Sequence, residues 1–532
     1  MGILKLLPLT VIAGPVLTLS IVQLADAGRY RATAGNSAGS VTSTAACYGV
    51  ATTQAVTRFP VPGSAAVNRD TTLRITFGSG APVVGSTGRI RLFRASDDAL
   101  IETIDLAAAA TLSQKSITDA ANVTYRYLPK TLGGNTYKYL PVTIAGNTAI
   151  VTFSSPSLLA HGQTYYVKID AGAILDAAGA TLPAIDDPAA WRFTIKPGGP
   201  AAGATVLRVA ADGSADFTTV QGAVEHVSPA SSKRTTILVA PGDYFEYVVV
   251  KNRPLVTLRG DGADPSATRI ACLVNNHVYN LPPASAHLGA RGVICIDGSP
   301  DFVMDNLTVQ NLTAKGGSQA EAVVTRPGSP RCIFNKLRLL SFQDTNLIAD
   351  VFVKDCDVEG DVDFMWGGGT VFYQNCGLRA MNSGYYAQYR TSAASVYGGI
   401  YVNCRFTAKP GLAANTQVLN RINPVGYPHA QMVLIDCAVG PHVKANPWQL
   451  DGGATTAPTL RVWEYRSTDL AGNLLDVSGR PTFNTMATGV GGSAVLPNQQ
   501  IDAATAAFLR VPSNIFGGWT PVVPPPPSTN DE

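Results

Sequence analysis

The sequence predicts an all-β fold in two parts, a β-sandwich over residues 56–197 and a solenoid of stacked coils over 205–520. Three observations carry that reading. Charged residues make up only 14% of the 532, while Gly and Pro number 51 and 35, a turn-rich β composition rather than a helical one. Short stretches between 57 and 196 alternate polar and apolar residues with period two. Beyond 204, one short phrase recurs at spacings of one solenoid coil or more.

The elements follow in order. Residues 1–27 read as a signal peptide: Lys5, an apolar run from Leu6 to Leu24, then small residues at Ala25-Asp26-Ala27, with an uncleaved membrane anchor as the alternative because the run is near spanning length. Export to a secreted or periplasmic location is therefore expected, with no membrane span after signal removal. Residues 28–55 are small and polar and read as a linker. Alternation then marks strands at Thr72 to Phe77, Arg89 to Phe93, Val142 to Phe153, Tyr165 to Ile169 and Trp191 to Ile195. Phe59-Pro60, the run Leu158 to Tyr165 and the run Leu175 to Gly179 make this stretch resemble bacterial immunoglobulin-like (Ig-like) modules, which act as spacers or adhesion units. A second linker is expected over 198–204, and a Pro-rich disordered tail over 521–532.

The recurring phrase joins a polar residue to an inward apolar or thiol side chain. It appears at Asn306-Leu307, Lys336-Leu337, Asp355-Cys356, Asn375-Cys376, Asn403-Cys404 and Asp436-Cys437. The tightest spacings, from Lys336 to Asp355 and from Asp355 to Asn375, fit one bare coil, and the wider ones fit a coil carrying an insertion. Leu307, Leu337, Cys356, Cys376, Cys404 and Cys437 should then form an inward ladder in which Cys acts as a small hydrophobe. Disulfides between neighbouring coils are the alternative, and Cys272 and Cys295, which flank an insertion, are a second candidate pair.

Asp344 and Asp363 are separated by the same bare-coil spacing, so their carboxyls should be neighbours about 5 Å apart on one outer face. Carboxylates that close do not ionise independently, which provides one acid and one base or nucleophile. Gln343 places an amide donor beside them, and Glu321 lies about one coil earlier. An Asp pair on a solenoid also suits turn chemistry or calcium. No Cys/His spacing resembles a zinc site, no serine-nucleophile elbow is present, and the formal charge of +3 gives no case for nucleic acid.

From 204 to 470 the sequence resembles the pectin methylesterase (pectinesterase) family. The resemblance rests on ordered segments: Asp212 to Val224, Val239 to Glu246, Val256 to Gly262, Phe302 to Asn311, Gln343-Asp344-Thr345, Val362 to Gly367 and Asn375-Cys376. It implies a right-handed single-stranded parallel β-helix and hydrolysis of methyl esters on a pectin-like polysaccharide, with no cofactor and no metal, by a monomer. It also implies roles: Asp363 as nucleophile, Asp344 as acid and then base, Gln343 as oxyanion donor, and Arg421 as the cation beside Asp363. Glu321 falls where the family has an oxyanion glutamine, and Gln319 is the substitute donor on the same strand face. Trp366 and Tyr427 are the candidate sugar-binding residues, with Tyr385, Tyr386, Tyr389 and Trp448 further aromatics near the motif; His429 and His442 read as structural. Asn423 and Leu347 replace family aromatics. A weakened polysaccharide-binding or adhesion protein, or a β-helix esterase or thioesterase on another ester, are the alternatives.

Overall fold

The computed structural model describes residues 56–527 except 286, 454–458, 482–485, 489–491 and 495, together with four short strands between 28 and 48. The expected signal peptide over 1–27 lies outside the described residues, as do tail residues 528–532. Among the described residues no helix is long and apolar enough to cross a membrane.

Within the expected linker over 28–55, the described residues form short strands. Gly28–Tyr30 pairs antiparallel with Ala46–Tyr48, and Thr33–Asn36 with Gly39–Thr42. Backbone N–H and C=O groups need partners whatever the side chains, a demand that composition alone does not display. The sandwich follows as two four-stranded sheets. One runs Val142–Ala145, Thr148–Val151, Leu73–Phe77, Val56–Phe59; the other runs Arg192–Thr194, Thr164–Ile169, Arg89–Arg94, Leu100–Asp105. Their period-two faces meet in one core around Leu73, Ile75, Leu92, Val167, Trp191 and Phe193.

Three further strands, Ala110–Gln114, Val123–Leu132 and Asn135–Tyr139, form an arm that leaves the sandwich. Leu132 and Tyr137 are at most 1% exposed, and both belong to the core of the solenoid. Tyr127 Oη donates to Leu273 O (3.2 Å), Lys138 Nζ to Pro282 O (3.0 Å) and Ile117 N to Leu312 O (2.9 Å). On the same side, the carboxylate of Asp70 accepts from Thr218 N, Thr219 N and Thr219 Oγ1. Residues 198–204 do form an irregular connection, but the units they join are fused rather than merely tethered.

The solenoid is a parallel β-helix with three faces. The first face has ten parallel strands, from Val206–Val209 to Arg461–Tyr465. The second begins at Gly242–Phe245 and the third at Val248–Lys251; the long strands Asp357–Gly367 and Gly377–Tyr389 run round the corner between these two. The helix Val220–His226 closes one end, burying Val220, Ala223 and Val224. Ala503–Leu509 and Pro512–Ile515 pack Leu509 and Ile515 onto the solenoid core.

The recurring phrase is a corner. Asn306, Lys336, Asp355, Asn375, Asn403 and Asp436 have φ between 50° and 55°. A left-handed residue at this place in each coil turns the chain between faces, and Asn and Asp tolerate that region best. The next residue then points inward: Leu307, Leu337, Cys356, Cys376, Cys404 and Cys437 are each at most 1% exposed. The four thiols are free and donate weakly to carbonyls one coil back, as in Cys437 Sγ to Tyr401 O (3.4 Å). Cys272 and Cys295 are free thiols too. Parallel stacking recurs in the core, where the rings of Tyr373 and Tyr401 lie 4.6 Å apart at 2°.

Residues 521–527, expected to be disordered, lie along the solenoid without regular structure. Val523 packs against the core, and Arg259 Nη2 donates to Pro524 O (2.5 Å). Proline lacks the N–H for a ladder but keeps its acceptor, which the arginine uses.

Candidate active site

A column of acids runs down the corner between the second and third faces. Gln343 pairs with Val362, and Asn346 with Met365. Asp344 lies just after the first member of the first pair and Asp363 just after the second, so the two aspartates sit on adjacent coils in register. Asp344 N donates to Val362 O (3.0 Å). Val323 pairs with Asn346, and Ala320 N and Ala322 N donate to Gln343 O and Thr345 O, which puts Glu321 one coil before Asp344. Both aspartates are left-handed, with φ of 61° and 49°. Such backbone is costly for a residue with a side chain and concentrates where geometry serves function.

The site is more recessed than the outer face the spacing suggests: Asp344 is 7% and Asp363 5% exposed. Two arginines bracket the acids. Arg421 pairs through Nη2 with Asp363 Oδ2, and its guanidinium lies over the ring of Tyr385 at 4.9 Å. At the other end Arg291 pairs through Nη2 with Glu321 Oε1 and stands 3.6 Å from Asp344 Oδ2. Asp363 Oδ1 has no hydrogen-bond partner among the described residues.

The two aspartates experience different fields. Burial pushes Asp344 up to about 8, helped by the negative charges of Glu321 and Asp363 and opposed by Arg291. Burial raises Asp363 only to about 6, because Arg421 and Arg390 pull it back. Near neutral pH the column therefore holds a protonated acid above an ionised carboxylate, the division of labour that acid–base chemistry needs.

The expected residues divide into those that reach this site and those that do not. Gln343 is half-buried beside Asp344. Gln319, also half-buried, accepts from Ser318 Oγ (2.7 Å). Trp366 and Tyr427 line one side together, joined by Arg390, whose guanidinium lies 4.6 Å from the Trp366 ring and 5.4 Å from that of Tyr427. Glu321 does not fit the role of an oxyanion ligand: it is fully buried, with one carboxylate oxygen tied to Arg291. Tyr386, Tyr389 and Trp448 are core residues, at most 2% exposed. His442 is buried against the hydroxyl of Tyr386 (2.7 Å), and its burial lowers it to about 4. Asn423, which stands where an aromatic was expected, caps a turn by accepting at Oδ1 from Val425 N and Gly426 N.

Arg291 and Arg390 are the residues that sequence reasoning missed. Gln388 Oε1 holds Arg390 by two bonds, from Nε (3.1 Å) and Nη2 (2.7 Å). The one signal for Arg291 is opposite charge at 291 and 321, positions one coil apart because Ile294 pairs with Val323.

Comparison with known proteins agrees with this architecture. The Pectinesterase family matches residues 206–489, and the Bacterial Ig-like domain matches 50–195. Pectinesterase 31 of Arabidopsis thaliana is 29% identical over 268 residues, covering 49% of this chain and 82% of that protein. Pectinesterase 2 of Citrus sinensis is 27% identical over 268 residues, covering 49% and 50%. The pectin methylesterase from carrot shares the fold, with a TM-score of 0.50 at 24% identity over 59% of this chain and 93% of that one. Fold and relatives define an ester hydrolase built on a parallel β-helix. The family match takes in more than half of the chain, and the chain belongs to the pectinesterase family, with an Ig-like module ahead of the solenoid.

Proposed function

We propose that the protein is an exported carbohydrate esterase that removes methyl groups from a pectin-like polygalacturonate, with Asp363 as nucleophile and Asp344 as acid and base. The observation that carries the proposal is the in-register stack of these two aspartates, with burial raising Asp344 further than Asp363. Asp363, ionised and oriented by Arg421, attacks the ester carbonyl carbon. Gln343 donates to the oxyanion of the tetrahedral intermediate. As the C–O bond to the methoxy group breaks, Asp344 gives its proton to the leaving oxygen and methanol departs, leaving an acyl-enzyme on Asp363. Asp344, now ionised, takes a proton from water as that water attacks the acyl carbon; the uronic acid leaves and Asp363 is regenerated.

Tyr427, half-buried beside Arg390, offers an apolar face for a sugar ring and Arg390 a cation for uronate carboxylates, while Trp366 is 9% exposed with Arg390 and Arg291 over its ring and backs that cation rather than facing a sugar. The reading as a weakened binding protein drew on Glu321, on the replaced aromatics and on the Ig-like module, and the ion pair of Glu321 with Arg291 removes the first of these grounds. The test is methanol release from methyl-esterified polygalacturonate by the full chain and by Asp363→Asn and Asp344→Asn. Release is expected from the parent and loss of about 10²-fold or more from either variant. No release by the folded parent from any methylated uronan rejects the proposal.

A further inference from the structure

Glu321 and Arg291 are a buried ion pair next to the acid–base residue, and the reaction as proposed does not use them. Both are inaccessible, with side-chain exposures of 0% and 8%. Their geometry is directional. Arg291 Nη2 contacts Glu321 Oε1 and also faces Asp344 Oδ2 at 3.6 Å, so one guanidinium nitrogen spans two carboxylates on adjacent coils. Arg291 Nε and Glu321 Oε2 have no hydrogen-bond partner among the described residues.

The pair is held from outside the corner. Arg291 ends the short helical turn Leu288–Arg291. Just before that turn, His287 Nδ1 meets Tyr137 Oη (3.3 Å), a side chain of the sandwich arm. Asn311 Nδ2 donates to the backbone oxygens of both Arg291 (3.4 Å) and Glu321 (3.0 Å), fixing the two residues relative to each other. Leaving either partner of a buried ion pair alone is costly, so the side chains have little freedom.

We propose that Arg291 is a positioning residue for Asp344: anchored on Glu321, it keeps the Asp344 carboxyl turned toward Asp363 and the leaving oxygen. The proposal rests on the esterase reading above. Its chemistry is electrostatic and orientational, with no bond made to substrate. The glutamate neutralises the arginine, so Asp344 gains a fixed neighbour without facing the full field of an unpaired cation. That field would strip the proton which Asp344 must deliver.

The experiment uses the full chain with Arg291→Met, Arg291→Lys and Glu321→Gln, each checked for folding by circular dichroism and thermal melting. Initial rates of methanol release are measured across pH. Arg291→Met should lose of the order of 10²-fold in kcat with KM changed by no more than about threefold. Arg291→Lys, which keeps the charge without the fork, should recover part of that loss. Glu321→Gln should move the alkaline limb of the profile down in pH, because an uncompensated cation then faces Asp344. Should Arg291→Met not fold, Arg291→Lys and Glu321→Gln carry the test.

Unchanged kcat and an unchanged alkaline limb in the folded variants overturn the proposal. So does a change confined to KM, which would make Arg291 a substrate contact. Should the parent release no methanol, the esterase reading falls separately. The positioning is then read from the carboxyl 13C titration of Asp344, assigned by Asp344→Asn, in the parent and in Glu321→Gln. A lower midpoint in Glu321→Gln supports it, and equal midpoints overturn it.

Discussion

The substitution Arg421→Gln tests the electrostatic division within the aspartate column. Asp363 has to be ionised to attack, and Asp344 has to be protonated to release methanol. The profile of kcat/KM should therefore rise through about pH 6 and fall through about pH 8. These limbs belong to the interacting pair rather than to either residue alone. Arg421 touches Asp363 directly, and that carboxyl is only 6% exposed, so the cation is poorly screened. An opposite charge in contact lowers a carboxyl by about 1–3 units. Losing it raises Asp363 by that amount, toward the low end because Arg390 remains. The rising limb should move up by about one unit or more, closing on the falling limb and removing the plateau. At pH 6 the ionised fraction of Asp363 would drop from about one half to about one tenth or less. The assay is the initial rate of methanol release between about pH 4.5 and about pH 9.5 for parent and variant. A rising limb that stays in place or moves down would refute the role given to Arg421.

Three further outcomes concern the framework. Tyr137→Ala should destabilise the protein by about 3–5 kcal/mol, since the ring is fully buried in the solenoid core and packs 5.1 Å from Tyr247; urea unfolding measures it, and a loss below about 1 kcal/mol contradicts the shared core. Asp70→Ala removes the acceptor for Thr218 N, Thr219 N and Thr219 Oγ1, at a cost of about 1–3 kcal/mol; a shift in the urea midpoint reads this. Cys272, Cys295, Cys332, Cys356, Cys376, Cys404 and Cys437 are free thiols, and all but Cys272 are buried. A thiol reagent should meet little reaction in the native protein and stoichiometric reaction in denaturant without reductant; a shortfall there would reveal disulfides.

The solenoid was legible because its corners have a chemical preference. Asn or Asp at 306, 355, 375, 403 and 436 marks left-handed backbone, and only Lys336 breaks the habit. Once that phrase fixed the coil length, the stacking of 344 on 363 followed by counting. What stayed hidden depends on contacts between segments distant in sequence. The arm strands are ordinary alternating strands, and nothing local says that Leu132 and Tyr137 serve a core other than their own. Glu321 reads as an exposed charge in the site until the insertion before residue 294 folds back and delivers Arg291. The tail composition suggests disorder, yet one buried arginine gives Pro524 a partner.

The arm also limits how this chain can be rearranged by recombination. A boundary drawn at residues 198–204 looks like a clean place to exchange the front half for another of the same kind. A replacement without side chains equivalent to Leu132, Tyr127 and Tyr137 would leave a furrow above residues 273–287, and the turn that delivers Arg291 would lose its backing. The two halves are therefore expected to be inherited as one unit, with changes on the arm matched by changes in the insertion beneath it.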